Sequence, residues 1–398
     1  MRRSLLALVL LASLTACSDD PARGSSATTD APTPTAATTD APTTTAPADD
    51  LVEGTPADEG MDATKLEDAK AYAFEPGKNT QGVVVVRHGT IVAEWYAPGA
   101  DQDSWAASWS MSKSVASALV GIAIDEGKIP SIDVPMTTYY PDWADTGRGD
   151  ITLRDVLEMS PGLTWEENYS PGSVDTSDVI NMVVRESDQL AYAASRPAEA
   201  PPGTQFVYSS GTSMLLSGVL QQATGMEARE YAKQKLWDPI GVDQVEMWTD
   251  AEGHTLTYCC VDTTSRGFAR FGQLFLDDGA WGSEQVVPES WVAASVAGSR
   301  AAPSTYGLQW WLDDVAGVPA DMFSAQGHDG QFIYVIPSLD LVVVRNGTYA
   351  KEDGPPVADP TLFAHYPSDG LVPGKGTIAP DRWDDSAFLT PIVESINP

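Results

Sequence analysis

Ser110 and Lys113 stand three residues apart in SWSMSKSVASALVGIAIDEG, where an apolar helix is predicted to begin. Side chains at this spacing share one face of a helix. A serine hydroxyl becomes a nucleophile when a base accepts its proton, and a lysine can be that base when burial or nearby positive charge lowers a lysine pKa. The positive end of the helix dipole would also stabilise an oxyanion. A capping serine followed by an exposed lysine has the same spacing, so the pair needs support from elsewhere in the chain.

Two further motifs could complete a catalytic site. Tyr208 in PPGTQFVYSSG precedes a second apolar helix, and a tyrosine close to a cationic lysine can ionise and carry a proton to a leaving group. The stretch QGHDGQF places His328, Asp329 and Gly330 inside a predicted late strand, where glycine lets a substrate carbonyl approach closely. Taken singly, these motifs are more typical of a core tyrosine with a capping serine and of a structural histidine.

The elements that must position these residues come from both ends of the chain. The run QGVVVVRHGTIVAEWYA predicts two strands joined by a hairpin at His88-Gly89. The stretches YGLQWWL, MFSAQGHDGQFIYVIP and LDLVVVRNG predict consecutive strands near the other end. Between them, Pro and Gly separate helical patterns with no evident strand ladder. We therefore expect an α/β (α+β) fold, in which helices flank one antiparallel sheet built from both chain ends, with an all-helical lobe inserted at about 125–250.

The order of the three motifs, Ser-x-x-Lys, then Tyr-x-Ser, then His-x-Gly, is much more specific than any one of them. In this respect the chain resembles the serine β-lactamase and penicillin-binding protein superfamily, specifically its class C-like branch. The resemblance covers roughly Ala57–Pro398 and includes TLRDVLEMSPGLTWEENY, DPIGV, SRGFARFGQLFLDDGAW and GHDGQFIYVIPSLDLVVV. Within the branch, SMSKS and WEENY look most similar to the 6-aminohexanoate-dimer hydrolase and esterase group.

The resemblance implies a function and a set of roles. Ser110 would be the acylated nucleophile of a serine hydrolase that cleaves a small-molecule amide or ester, with Lys113 as its proton partner and Tyr208 as general base and acid. The backbone N–H groups of Ser110 and Gln331 would form the oxyanion hole. A β-lactamase or DD-peptidase proper is the main alternative, and a non-catalytic surface lipoprotein that binds cell-wall material is a lesser one.

Departures from the family pattern bear on the substrate. β-Lactam and cell-wall enzymes commonly carry Lys-Thr-Gly or His-Thr-Gly at the third motif, where a hydroxyl holds a substrate carboxylate. Here Asp329 takes that place between His328 and Gly330, and Ser210 replaces the asparagine of the second motif. Two facing carboxylates repel unless one is protonated, so efficient β-lactam hydrolysis is not expected. Tyr169 matches a loop tyrosine that hydrogen-bonds the scissile amide in the dimer-hydrolase group, and a loop aromatic packed on the lobe is the alternative.

The composition of the chain restricts the classes of molecule and cofactor that it can bind. The chain carries 23 basic and 56 acidic residues, a net charge of −33. Nucleic acid is therefore excluded as a partner, because phosphate binding needs basic patches. Two neighbouring thiols, Cys259 and Cys260, are too few for zinc, and we expect neither a metal nor an organic cofactor. We interpret the two cysteines as small buried residues, with a vicinal disulfide as the alternative.

The N-terminal segment predicts export. Residues 1–16 combine two arginines with an apolar run that is too short to span a membrane, as in a secretory signal. LTAC resembles a lipobox, in which Cys17 would be lipidated. Residues 17–50 are rich in Thr, Pro, Ala and Asp and cannot bury a core, so they form a disordered tether. The hydrolase domain at 51–398 would then be lipid-anchored to the outer face of a bacterial cell membrane.

Overall fold

The structure, a computed structural model, describes residues 50–169, 176–348 and 382–396. The strands, numbered along the chain, are β1 Val52–Glu53, β2 Thr80–Arg87, β3 Thr90–Tyr96, β4 Trp105–Ala107, β5 Val245–Met247, β6 Val261–Thr264, β7 Ala280–Trp281, β8 Glu284–Gln285, β9 Phe323–Gly327, β10 Gln331–Ile336 and β11 Leu341–Gly347. The α-helices are α1 Ala63–Ala73, α2 Ser112–Asp125, α3 Leu153–Leu157, α4 Asp178–Arg185, α5 Gln189–Ala194, α6 Ser210–Thr224, α7 Ala228–Ala232, α8 Ser265–Leu276, α9 Glu289–Ser295 and α10 Asp385–Glu394.

A six-stranded sheet joins the two chain ends, as predicted. Its strand order is β1-β3-β2-β11-β10-β9, and all pairings are antiparallel except the short β1–β3 pair. The central contact pairs two valine runs, 83–86 in β2 and 342–344 in β11, which are fully buried. Such continuous apolar runs are typical of strands that are covered on both faces.

Helices cover both faces of this sheet. Val84 and Val86 share a hydrophobic cluster with Phe268 of α8, whereas Val83 and Val85 share another with Phe388 of α10. This division follows from the alternation of side chains along a strand. The fold class is therefore confirmed as mixed α/β, with the sheet between helical layers.

The central helix α2 joins the sheet to the helical lobe. Every residue from Ser112 to Ala123 is buried, as expected for a helix that is apolar on nearly all sides. One hydrophobic cluster includes α2, the lobe helices and α8, so the lobe shares its core with the sheet. The predicted all-helical stretch at about 125–250 also contains β5, which pairs with β6 and, through it, with β4.

Two of the late predicted strands are corrected by the structure. The stretch at 306–312 forms only isolated bridges, Tyr306 with Trp311 and Trp311 with Ser324. Gln309 there has a φ of 64°, which breaks an extended strand. Residues 328–330 lie in a turn between β9 and β10 rather than within a strand, since Asp329 has a φ of 60° and Gly330 one of 72°. An Asp-Gly pair between apolar runs is a hairpin signal that could have located this turn.

The two neighbouring cysteines form a disulfide. Cys259 and Cys260 are covalently linked between Tyr258 and Val261, so our interpretation of them as unlinked small residues was wrong. Both cysteines are buried, as that interpretation predicted.

The N-terminal predictions lie outside the described residues. This applies to the signal at 1–16, to Cys17 and to the tether up to residue 49. Among the helices that the structure describes, none combines the length and the apolar character needed to cross a bilayer.

A buried carboxyl group in β6 predicts a pH dependence of stability. Asp262 accepts a hydrogen bond from Trp248 Nε1 at 2.6 Å, and its burial raises its pKa to about 8. Between about pH 4, near the pKa of an unfolded aspartate, and pH 8, the folded chain holds a proton that the unfolded chain releases, so stability falls as pH rises. Asp262→Asn should reduce this fall, measured as the free energy of unfolding in urea from pH 5 to 8. Asp103→Asn, in an exposed loop, is the control. An unchanged pH slope in Asp262→Asn would contradict the prediction.

Candidate active site

Ser110 lies in a short 3₁₀ turn, Trp109–Met111, immediately before α2. Trp109 has a φ of 44°, a conformation that is costly for a residue with a side chain and that tends to occur at functional sites. The turn is held by Ser108, whose N–H donates to Val261 O at 2.7 Å and whose Oγ accepts from Val261 N at 2.8 Å. The nucleophile candidate therefore sits on a strained, firmly anchored turn.

The Lys113 side chain is 1% exposed, and hydrogen-bond acceptors surround its amine. Nζ lies 3.0 Å from Ser110 Oγ, 3.3 Å from Ser210 Oγ and 2.8 Å from the carbonyl oxygen of Tyr258. The prediction that Ser110 and Lys113 share a face thus corresponds to a direct contact. An amine so placed can exchange a proton with the Ser110 hydroxyl.

Glu167 is a site residue that the sequence analysis missed. Its carboxylate accepts hydrogen bonds from Ser210 N at 2.8 Å and Ser210 Oγ at 2.7 Å, and also from Tyr169 OH and Trp165 Nε1. Ser210 Oγ therefore links this carboxylate to the amine of Lys113. The signal was present in WEENY, where the acid stands two residues before Tyr169, but only the tertiary fold brings it to α6.

The aromatic candidates, Tyr208 and Tyr169, both contact other residues of the candidate site. The ring centroid of Tyr208 lies 4.9 Å from Lys113 Nζ, and the ring stacks on Trp311 with a centroid separation of 5.4 Å. The Tyr169 ring is 5.5 Å from that of His328. Burial, together with the charge of Glu167, raises the pKa of Tyr169, which therefore stays protonated and able to donate a hydrogen bond. These contacts place Tyr208 beside the Ser110–Lys113 pair and Tyr169 opposite the β9–β10 turn.

The β9–β10 turn packs directly against the nucleophile turn. At Gly327 even a single Cβ would come within 2.1 Å of the carbonyl oxygen of Ser108. Asp329 is buried, its Oδ2 accepts from Trp109 Nε1 at 3.3 Å, and burial raises its pKa. Behind the turn, the buried guanidinium of Arg345 donates to the carbonyl oxygens of Asp329 and Gly330. The third motif is thus a rigid turn whose Asp329 faces Trp109.

Comparison with known proteins shows the family of the chain. A family model described as Beta-lactamase matches residues 69–364. The chain belongs to the β-lactamase family. A relative named 6-aminohexanoate-dimer hydrolase, from Paenarthrobacter ureafaciens, is 27% identical over 314 residues, which cover 73% of this chain and 78% of the relative.

Solved structures of this family share the fold. A putative 6-aminohexanoate-dimer hydrolase from Bacillus anthracis matches with a TM-score of 0.61 and 21% identity, over 76% of this chain and 84% of that one. A putative β-lactamase from Bacteroides dorei matches with a TM-score of 0.64 and 19% identity, over 85% of this chain and all of that one. The predicted relationship is confirmed, and the protein is a serine hydrolase of the β-lactamase family.

Gln331, whose backbone N–H is predicted to form part of the oxyanion hole, is the first residue of β10. Gln331 is fully buried and pairs with Gly327 at the start of β10. Its side-chain oxygen accepts from Asn346 Nδ2 and Gly347 N in β11. Gln331 therefore belongs to the interior of the sheet, whereas the residue that directly follows Gly327, beside the nucleophile turn, is His328.

One group of possible metal ligands lies apart from the Ser110–Lys113 pair. Asp188, Asp250 and His254 bring one ligand atom each within 4.8 Å of one another. Asp250 accepts hydrogen bonds from the backbone N–H groups of Gln189, Glu252 and His254, and also contacts His254 Nδ1. These bonds already employ the carboxylate oxygens of Asp250, so the group is explained as a structural ion pair that anchors a loop.

The contact between Gly327 and Ser108 generates a prediction. In Gly327→Ala, β9 must move away from the nucleophile turn, and we expect kcat on an ester substrate to fall about 10-fold or more, since small displacements of catalytic groups are costly. The control is Gly272→Ala in α8, where a Cβ would come within 2.6 Å of Val342 Cγ1. It should lower the unfolding temperature and leave kcat unchanged. Equal kcat values in the two variants would contradict the prediction.

Proposed function

We propose that the protein hydrolyses a small-molecule amide or ester through an acyl-enzyme formed on Ser110. The observation that carries the proposal is the 3.0 Å contact between the buried amine of Lys113 and Ser110 Oγ. A lysine that merely followed a helix cap would extend into solvent. Burial of its amine against a serine at the start of a helix is expected of a nucleophile and its base.

Acylation follows from this geometry. Lys113 takes the hydroxyl proton as Ser110 Oγ attacks the substrate carbonyl carbon. The carbonyl oxygen becomes an oxyanion, which we place against the backbone N–H groups of Ser110 and His328. The choice of His328 over Gln331 rests on Gly327, whose backbone packs against that of Ser108. Collapse of the tetrahedral intermediate breaks the amide or ester bond, and the leaving nitrogen or oxygen departs with a proton.

Tyr208 and Ser210 are the groups we assign to the later proton transfers. The Tyr208 ring borders Lys113 Nζ, and Ser210 Oγ lies between that amine and Glu167. In our scheme Tyr208 gives its hydroxyl proton to the leaving group, and the resulting phenolate takes a proton from the water that attacks the acyl carbonyl. Lys113 then returns its proton to Ser110 as the acyl bond breaks. Glu167 keeps Ser210 and Tyr169 oriented by accepting a hydrogen bond from each hydroxyl. The Tyr169 hydroxyl oxygen then remains as an acceptor for a substrate N–H.

Local charge and family likeness together suggest the substrate class. The carboxylate of Glu167 bonds Ser210 and that of Asp329 bonds Trp109, next to Ser110, while the guanidinium of Arg345 is buried behind the turn and donates to backbone carbonyls. A substrate carboxylate would find little attraction at this turn. The relative named 6-aminohexanoate-dimer hydrolase supports an amide substrate, and the local charge favours a neutral or cationic group next to the scissile bond. We assign His328, Asp329 and Gly330 to the substrate wall.

The central test is Ser110→Ala. Turnover of short-chain p-nitrophenyl esters should fall by on the order of 10³-fold or more, because the nucleophile is lost. The unfolding temperature should stay close to that of the wild type, since the change removes one oxygen atom. A panel of these esters, D-amino-acid amides, nitrocefin and the linear 6-aminohexanoate dimer then ranks the substrates. Undiminished turnover in Ser110→Ala would refute the proposal.

The alternative, a β-lactamase or DD-peptidase, can be tested with a fluorescent penicillin and nitrocefin. Such an enzyme would be labelled covalently at Ser110 by a fluorescent penicillin and would hydrolyse nitrocefin. We expect neither labelling nor hydrolysis at a rate comparable with ester turnover, because Asp329 disfavours the lactam carboxylate. Rapid labelling that is lost in Ser110→Ala would favour the alternative.

Glu167→Gln tests the carboxylate that the sequence analysis missed. The amide keeps the size but offers one oxygen in place of two, so some of the four donors now directed at Glu167 lose their acceptor. We expect kcat to fall about 10-fold to 100-fold, by analogy with the loss of oriented hydrogen bonds in other active sites. The matched control is Glu166→Gln, since Glu166 is exposed. Equal kcat values for the two variants would exclude a role for Glu167.

We further propose that the protein is exported and anchored through a lipid on Cys17. The support is the lipobox-like LTAC after an apolar run, followed by the Thr/Pro-rich segment. In a bacterial host, a fatty-acid analogue should label the wild type, and the protein should partition into detergent. Cys17→Ser should abolish both. Labelling that persists in Cys17→Ser would overturn the anchor.

A further inference from the structure

The segment Tyr258–Val261 contacts the catalytic turn at both of its ends. The carbonyl oxygen of Tyr258 accepts a hydrogen bond from Lys113 Nζ at 2.8 Å. The Val261 carbonyl oxygen accepts a hydrogen bond from Ser108 N, and Val261 N donates to Ser108 Oγ, two residues before the nucleophile. This short segment therefore orients the base at one end and anchors the nucleophile turn at the other. The linked cysteines are the two residues between these contacts.

The backbone of this segment adopts an unfavourable conformation. Cys260 has a φ of 74°, in the left-handed region that residues with a Cβ rarely occupy. Its carbonyl oxygen accepts from Trp248 N at 3.0 Å, so the conformation is part of the packed structure. A disulfide between adjacent residues closes a small covalent ring through their shared peptide bond, which restricts the backbone of both. The cysteines are 5% and 4% exposed, and are not displayed as surface thiols.

We propose that the Cys259–Cys260 disulfide is a positioning element for catalysis. By holding Cys260 in its left-handed conformation, it directs the Tyr258 carbonyl at Lys113 and the Val261 backbone at Ser108. The inference rests on the proposed function of Ser110 and Lys113 and extends it to residues that do not touch the substrate. A disulfide that only stabilised the fold would alter the unfolding temperature and leave kcat unchanged.

The disulfide itself is checked first, by mass spectrometry of the folded, active full-length protein. Alkylation under denaturing conditions should leave the peptide that holds both cysteines unmodified. After reduction, the same peptide should gain two alkyl groups. Free thiols at both positions in fully active enzyme would overturn the proposal.

The first variant, Cys259→Ser/Cys260→Ser, removes the ring but keeps a Cβ at position 260. Without the ring, position 260 should relax from the left-handed region, which is sterically unfavourable for a residue with a Cβ. We expect kcat on a p-nitrophenyl ester to fall about 10-fold or more with KM within about threefold, since base and nucleophile are displaced while the substrate walls are unchanged. Circular dichroism and thermal unfolding show whether the variant is folded.

The matched variant, Cys259→Ala/Cys260→Gly, also lacks the disulfide, but glycine adopts a positive φ without steric cost. If the ring acts through the backbone at position 260, this variant should keep kcat within about threefold of the wild type, the range expected when catalytic geometry is preserved. The signature is therefore higher kcat in the Ala/Gly variant than in the Ser/Ser variant, whichever of the two is less stable. Equal losses in both variants would overturn the proposed route through Cys260.

The outcomes also separate this inference from the proposed function. If wild-type turnover is abolished in Ser110→Ala, the function stands, whatever the cysteine variants do. Wild-type kcat in both cysteine variants, with lower unfolding temperatures, would then overturn the positioning role alone. A wild type without turnover on any substrate of the panel would instead refute the function and, with it, the inference.

Discussion

The buried amine of Lys113 imposes the constraint on which the site depends. An amine removed from water is stable only when hydrogen-bond acceptors replace the lost solvent. Here the acceptors come from the nucleophile turn, the first residue of α6 and the residue before the disulfide: Ser110, Ser210 and Tyr258. Three distant parts of the chain must therefore converge on one atom. The same contacts that satisfy the amine bring the nucleophile to its base.

Ser108 and Glu167 extend this constraint outward. Ser108 joins the nucleophile turn to β6, and its carbonyl lies against Gly327 of β9, so both sheets support the position of Ser110. Glu167 collects four donors and holds α6 to the loop that carries Tyr169. Positive φ values at Trp109 and Cys260 are tolerated because the surrounding bonds determine these conformations. The site thus combines local strain with dense polar connections, as is common where function sets the geometry.

Strongly periodic segments were predictable, and segments of irregular backbone were not. The sequence predicted the valine runs of β2 and β11 and the apolar helix α2. At the positions that the fold buries, most of their residues are apolar. The stretch at 306–312 has the composition of a strand, but its backbone turns at Gln309, which composition does not reveal. Residues 328–330 were predicted inside a strand, but positive φ values at Asp329 and Gly330 turn the backbone there. The sequence alone did not show whether the two cysteines are linked, because a disulfide depends on the geometry that the fold gives them.

By itself, the sequence determined the family, the order of the three motifs and the pairing of Ser110 with Lys113, because their spacing on one helical face is a local property. It also determined that a sheet would form from both ends, since the apolar strand patterns lie there. Only the tertiary structure decided which carbonyl contacts the amine and which carboxylate is linked to it through Ser210. Tyr258 and Glu167, which provide these groups, are distant from Lys113 along the chain. Contacts of this kind depend on how loops and turns pack, and no local pattern in the sequence encodes them.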